Sequence, residues 1–155
     1  MSYEKKFMAL KDLPPLPTVP KGANFIQYRR TGKLLTLSGY GPLKGAVIPP
    51  QYKGKLGKEL TSKQGYNAAR LTAINLLLIA RSAIKSLDKV DYILSVEGFV
   101  NSTDSFTDQP TVINGCSDLL IEIFGKQGYH TRSAIGVNTL AFDISVEIGM
   151  TLMIK

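Results

Sequence analysis

The chain has one cysteine, Cys116, and one histidine, His130, among 155 residues. A lone cysteine excludes an intrachain disulfide framework and any CxxC metal or redox motif, and it fits a reducing, cytoplasmic setting. With a single histidine there is no metal-ligand cluster, so no metal and no cofactor is expected. Long apolar runs are missing as well: the longest, near residues 74–80, is far too short to span a bilayer. The opening MSYEKKFMALKD lacks an apolar h-region and carries Glu4 and Asp12, against a signal or transit peptide. A soluble, cytoplasmic protein without a membrane partner is expected.

The net charge is +7, but the cations are scattered: Lys5 and Lys6, Arg29 and Arg30, then Lys53, Lys55 and Lys58. There is no arginine-rich stripe and no aromatic–basic ribonucleoprotein motif, which points away from nucleic acid and toward solvated lysines. Apolar residues make up 44% and charged residues 20%, an ordinary globular balance in a chain long enough for one real core.

KDLPPLPTVPKG packs four prolines into residues 14–20. Proline fixes φ and cannot donate to a ladder, so residues 1–23 are read as an extended arm on the surface of a single domain, 24–155. ANFIQYRRTGKLLTLSGYGP reads as a hairpin of strands 24–29 and 33–38 turning at Thr31-Gly32. Residues 43–60 read as loop, with a short strand at 46–48. Thr61-Ser62-Lys63-Gln64 fits a capping box. Tyr66, Ala69, Ala73, Leu77, Ala80, Ile84 and Leu87 then mark one helical face, with alanines small enough for close packing on a sheet. Residues 90–100 form a strand in which Tyr92, Leu94, Val96 and Val100 share one side and Ile93, Ser95, Glu97 and Phe99 the other. Asp108-Gln109-Pro110 opens a second helix that Gly125 or Gly128 ends, with Cys116 on its buried side. Strands at 131–137 and 144–150 finish the chain. The order is that of an α+β, mixed α/β sandwich with two helices on one face of a mixed sheet. Two helices cover one face only, yet the strand at 90–100 is apolar on both, which implies a homo-oligomer.

GYHTRSAIGV, residues 128–137, sets a permanent cation at the start of an apolar strand. Alternation places Ser133, Ile135 and Val137 on one face, suited to the helices, and Arg132, Ala134 and Gly136 on the other. Small side chains beside a guanidinium leave either the floor of a ligand pocket or room for a neighbouring subunit. Glu147 is a carboxylate in the middle of an apolar strand, which demands a partner or a function. A structural Arg132–Glu147 ion pair is one reading and a binding site the other.

Several segments together resemble the YjgF/RidA family: SGYGP at 38–42, GYNAARLTAINLL at 65–77, SLDKVDYILSVEGFV at 86–100, FTDQPTVINGCSDLLIEIFG at 106–125, and YHTRSAIGV with the later VEI. The likeness runs from about residue 14 and is nearest to a longer subgroup with a Pro-rich arm and a G-x-H-x-R-S-A signature. It implies a chorismate-mutase-like fold, a homotrimer with a cleft at each subunit interface, and a final strand inserted between others. It further implies that Arg132 binds the carboxylate of a small 2-imino acid, which is hydrolysed to a 2-oxo acid and ammonia, while Glu147 holds or activates the attacking water. Arginine suits the first role because it grips carboxylates bidentately without losing its proton. By the same resemblance Gly39 offers backbone to the ligand and Asn114 reaches the cleft from a neighbouring subunit; His130, peculiar to the subgroup, is read either as a hydrogen-bonding group of the cleft or as a surface residue. The chain departs from the family pattern at Phe25, where a tyrosine is usual, at Ala134 for a cysteine, at Ala141 for a proline, and at Tyr40 for a glutamine. The resemblance leaves three activities open: imine deaminase, a non-catalytic small-carboxylate-binding or regulatory trimer, and the endoribonuclease or translation inhibitor of older family names.

Overall fold

A computed structural model describes residues 1–155. A hairpin forms, but its first strand starts four residues later than expected: β1 (Tyr28–Thr31) pairs with β2 (Leu34–Tyr40), from Tyr28–Leu37 to Thr31–Leu34. Gly32 turns the chain at φ +59°, a conformation that carries a steric cost for any residue with a Cβ. The loop that follows contains only a Lys44–Val47 bridge and one helical turn at Pro50–Tyr52.

Thr61 then caps the long helix α2 (Ser62–Ile84) as its sequence anticipates. The Gln64 amide donates to Thr61 Oγ1 at 3.3 Å, and the Thr61 amide donates to Gln64 Oε1 at 2.9 Å. The helix stops at Ile84, one turn short of Leu87, because Lys85 turns left-handed at φ +73°. Strand β3 (Val90–Asn101), helix α3 (Gln109–Phe124) and strand β4 (Thr131–Val137) make a β–α–β unit whose strands are parallel. Strand β5 (Val146–Ile154) starts and ends later than its sequence pattern indicates. It runs antiparallel between β2 and β3.

The sheet order is therefore β1-β2-β5-β3-β4, with β5 inserted rather than hairpinned to β4. Both long helices lie on one face of this mixed sheet, the α+β architecture expected. Ala68, Ala69, Ala73 and Ala80 are fully buried on α2. Where α3 crosses it, Gly115 lies so near the Tyr66 carbonyl that a Cβ would overlap it.

Two parities differ from expectation. In β3 the register shifts between Ile93 and Ser95, so Ile93 and Val96 both face the helices and Leu94 is left 38% exposed. In β4 the two faces are exchanged. Arg132, Ala134 and Gly136 pair with Val96, Gly98 and Val100, whose side faces α3, whereas Ile135 is turned outward and 48% exposed. The small residues therefore make room for α3: a Cβ on Gly136 would meet the Gln109 side chain, and Ala134 packs against the core. The uncovered sheet face carries Phe99 and Ile135, but also Glu97 and Glu147.

The arm is extended over its prolines, but a short helix α1 (Tyr3–Met8) precedes them. Ser2 caps it, and Phe7, fully buried, joins the main core. Glu4 anchors this helix, accepting from Arg81 Nε at 2.5 Å and from the Leu87 amide at 2.9 Å. Six residues give too little periodicity to be read as a helix in advance. No helix of the protein is long and apolar enough to cross a membrane.

Candidate functional site

Seven of the eight site residues singled out in the sequence fall into two groups on this chain; the eighth, Ala134, packs against the core beneath α3. The first surrounds Arg132 on edge strand β4. Its Nη1 donates to Asn114 Oδ1 at 2.7 Å and to Ser117 Oγ at 3.1 Å, both on α3. Asn114 thus meets Arg132 within one chain, where the family likeness had it come from a neighbour. Nε and Nη2 have no protein partner, and together they form the edge of the guanidinium that takes a carboxylate bidentately.

His130 stands behind this group. Its Nδ1–H donates to the Gly128 carbonyl at 2.6 Å, which leaves Nε2 to accept the Ser117 hydroxyl at 3.0 Å. The chain of bonds therefore runs from Gly128 through His130 and Ser117 to Arg132. Burial pushes the imidazole below its ordinary value; the Gly128 bond opposes that shift and the nearby Arg132 charge adds to it. The downward shift favours the neutral imidazole, the state that lets Nε2 accept. Ser117 was missed in the sequence, although it lies three residues after Asn114 and so on the same helix face.

The second group lies across the sheet. Phe25, Gly39, Tyr40 and Glu147 line a chamber of about 280 Å³ between β2, the start of β5, the arm and the loop before β5. Gly39 gives Glu147 its room, since a Cβ there would stand 3.2 Å from the carboxyl carbon. Glu147 has no ion-pair or hydrogen-bond partner. The Tyr40 hydroxyl is occupied: it donates to the Thr18 carbonyl at 3.1 Å and accepts from Gln27 Nε2 at 3.2 Å, while the same Gln27 nitrogen donates to the Pro17 carbonyl at 2.7 Å. Tyr40 thus fastens the arm as a wall of the chamber.

Ala141 and Phe142 form its lip. Phe142 and Asp143 both sit at φ +58°, and Phe142 is 81% exposed. Buried Asn101 holds this strained turn, donating from Nδ2 to Asp143 Oδ1 at 3.2 Å and to the Ile144 carbonyl at 3.1 Å. Nothing in the sequence marks Asn101 or Phe142 apart from their neighbours. No cluster of His, Cys, Asp or Glu with metal-binding geometry is present.

The two groups do not meet in one chain. β3 separates Arg132 on β4 from Glu147 on β5, the first side chain facing the helices and the second the open face. No Arg132–Glu147 ion pair forms.

Residues 9–146 match the family model described as "YjgF/chorismate mutase-like, putative endoribonuclease". The chain belongs to the YjgF/RidA family. Among curated proteins, TCP17 of Trypanosoma cruzi is 37% identical over 126 residues, covering 81% of this chain and 78% of its own. Among solved structures, Atu1372 of Agrobacterium tumefaciens superposes with a TM-score of 0.89 at 31% identity, over 99% of this chain and 92% of its own. TdcF of Escherichia coli, solved with bound serine, shares the fold at TM-score 0.62 and 21% identity, over 92% and 94% of the two chains. In this YjgF/RidA protein the groups around Arg132 and Glu147 are the candidate sites.

Proposed function

We propose that the protein is an imine hydrolase of small 2-imino acids, working as a homotrimer in which Arg132 of one protomer and Glu147 of the next complete each cleft. The observation that supports this reading is the division of the site. An oriented guanidinium with a free bidentate edge and an unpaired carboxylate in a chamber sit on opposite faces of one sheet, so an arrangement of copies is needed to join them.

The chemistry follows from the two groups. Arg132 holds the substrate carboxylate through Nε and Nη2. Water adds to the C=N carbon, its proton passing to the Glu147 carboxylate as the π pair moves to nitrogen. Glu147 passes that proton to the nitrogen, giving the carbinolamine; it then takes the carbinolamine's hydroxyl proton and hands it to the departing nitrogen as the C–N bond breaks, giving the 2-oxo acid and ammonia. With Phe25 lacking a hydroxyl and Tyr40 tied to the arm, the proton transfers rest on Glu147 alone.

The test generates imino acids with an amino-acid oxidase and follows their loss. Arg132→Ala and Glu147→Gln each abolish acceleration, and co-assembled mixed oligomers of the two variants regain part of it, because some clefts then carry both native groups. Mixed oligomers as inactive as the parents refute a cleft shared between protomers. No acceleration by the wild type refutes catalysis. The occupied Tyr40 hydroxyl favours a second reading, a binding module on the same cleft, which thermal stabilisation by 2-oxo acids without turnover identifies. The ribonuclease name draws no support from the chamber, which no Lys, Arg or His lines.

A further inference from the structure

Phe25, Leu43, Ile48, Ala141, Phe142 and Ile144 turn the walls of the Glu147 chamber into hydrocarbon. Its polar lining is sparse. The Tyr40 hydroxyl already serves Thr18 and Gln27, and Glu147 is the one ionisable carboxylate on the wall, without a partner and without a cation opposite it. An anionic group placed here meets a like charge, and a polar side chain loses water without recovering its hydrogen bonds. A hydrocarbon side chain gains on both counts, and a nitrogen at its root finds the carboxylate.

We propose that the chamber selects 2-imino acids with bulky apolar side chains, branched or aromatic, with Glu147 facing the imine nitrogen. This rests on the imino-acid reading above and adds the substrate class to it. A cavity of about 280 Å³ is at the small end of ligand pockets, which suits one side chain while the carboxylate lies outside on a neighbour's Arg132. Each methylene buried is worth roughly fourfold in affinity. Thr18 and Pro20 stand in the same wall, so the arm takes part in the selection. Phe142, in its left-handed turn, gives the mouth an aromatic edge.

The experiment measures, by calorimetry on the full-length oligomer, binding of pyruvate, 4-methyl-2-oxopentanoate and phenylpyruvate, the stable 2-oxo counterparts of the imines. 3-Methylbutylamine, which has the side chain and a nitrogen but no carboxylate, is the fourth probe. The expected result is binding of 4-methyl-2-oxopentanoate at least about tenfold tighter than pyruvate, reflecting its additional buried carbons. Ala141→Phe, which fills the chamber, narrows that ratio, and Leu43→Ala, which enlarges it, shifts preference toward phenylpyruvate. Equal affinities across the three acids, or ratios unmoved by both folded variants, overturn the selection while leaving the imino-acid reading intact. Binding of the amine but of no acid overturns the imino-acid reading and shows the apolar chamber by itself. No binding of any of the four overturns both.

Discussion

Replacing Asn114 with alanine removes the shorter of the two bonds that hold Arg132 Nη1, at 2.7 Å against 3.1 Å for Ser117. A hydrogen bond to a charged partner contributes about 1.5–3 kcal/mol, and the low end applies because water can reach the freed N–H of this exposed strand position. A loss of about 1.5 kcal/mol in orienting the guanidinium corresponds to roughly tenfold weaker binding of a 2-oxo acid. Ser117→Ala weakens it less, and it also leaves His130 Nε2 without its donor. Because both partners hold the same nitrogen, the double variant loses more than the two single losses combined. Asn114→Asp makes a sharper comparison: the new carboxylate pairs with Arg132 and competes with the ligand, so affinity drops further while the fold is held at least as well. Calorimetry with 4-methyl-2-oxopentanoate, across these variants and Arg132→Ala, measures each step. If Asn114→Ala binds as the wild type does while Arg132→Ala does not, orientation by α3 has no part in recognition and the reasoning fails.

Burial holds the His130 imidazole below its ordinary value, so the unfolded chain takes up the proton first. The stabilisation is present above the unfolded pKa of about 6.5 and is lost as pH falls from there through the folded value. Urea midpoints between about pH 7.5 and 5 check this, with His130→Gln flattening the slope. The Cys116 thiol is pushed up to about 12 by burial, against a smaller opposing effect of Arg132. It is expected to resist a thiol reagent in the native protein and to react once denatured; rapid native labelling would contradict its place on the buried side of α3. Gly115→Ala drives a methyl into the Tyr66 carbonyl and forces α2 from α3, for an expected loss of about 3 kcal/mol or more by denaturant titration. A variant as stable as the wild type would mean that the helices do not cross there.

Much of the fold was legible because local signals and the global answer agreed. Thr61 and Gln64 announce the start of α2 by chemistry that needs no tertiary context, and Gly32 does the same for the hairpin. The insertion of β5 came from family likeness, since adjacency in sequence favours a hairpin with β4. Alternation along β4 correctly separated Arg132, Ala134 and Gly136 from Ser133, Ile135 and Val137, but parity cannot say which set meets the helices. The apolar set was the natural choice for the core, whereas the small set faces α3 because Gln109 takes the space above Gly136. The bulge at Leu94 defeated strict alternation in β3 in the same way, shifting every side chain beyond it. At the site, Arg132 and Glu147 were each singled out as unusual residues, one a cation and one a carboxylate in apolar strands. Their separation depends on strand order and their opposite faces on pairing register, and neither residue reveals either. Asn101 and Phe142 depend on a left-handed turn with no glycine to mark it.

The arm has one end in the hydrophobic core and the other on the Glu147 chamber. Phe7, on α1, is buried in the core, while Thr18 and Pro20 line the same chamber as Glu147. Docking of this segment and occupancy of the chamber are thereby two sides of one equilibrium: whatever fills the chamber holds the segment down, by an amount set by ligand concentration over its dissociation constant. Cleavage by a protease between the prolines and β1 then becomes a ligand sensor, slowing as the chamber fills. Conversely, loosening Phe7 weakens binding at a site it never touches.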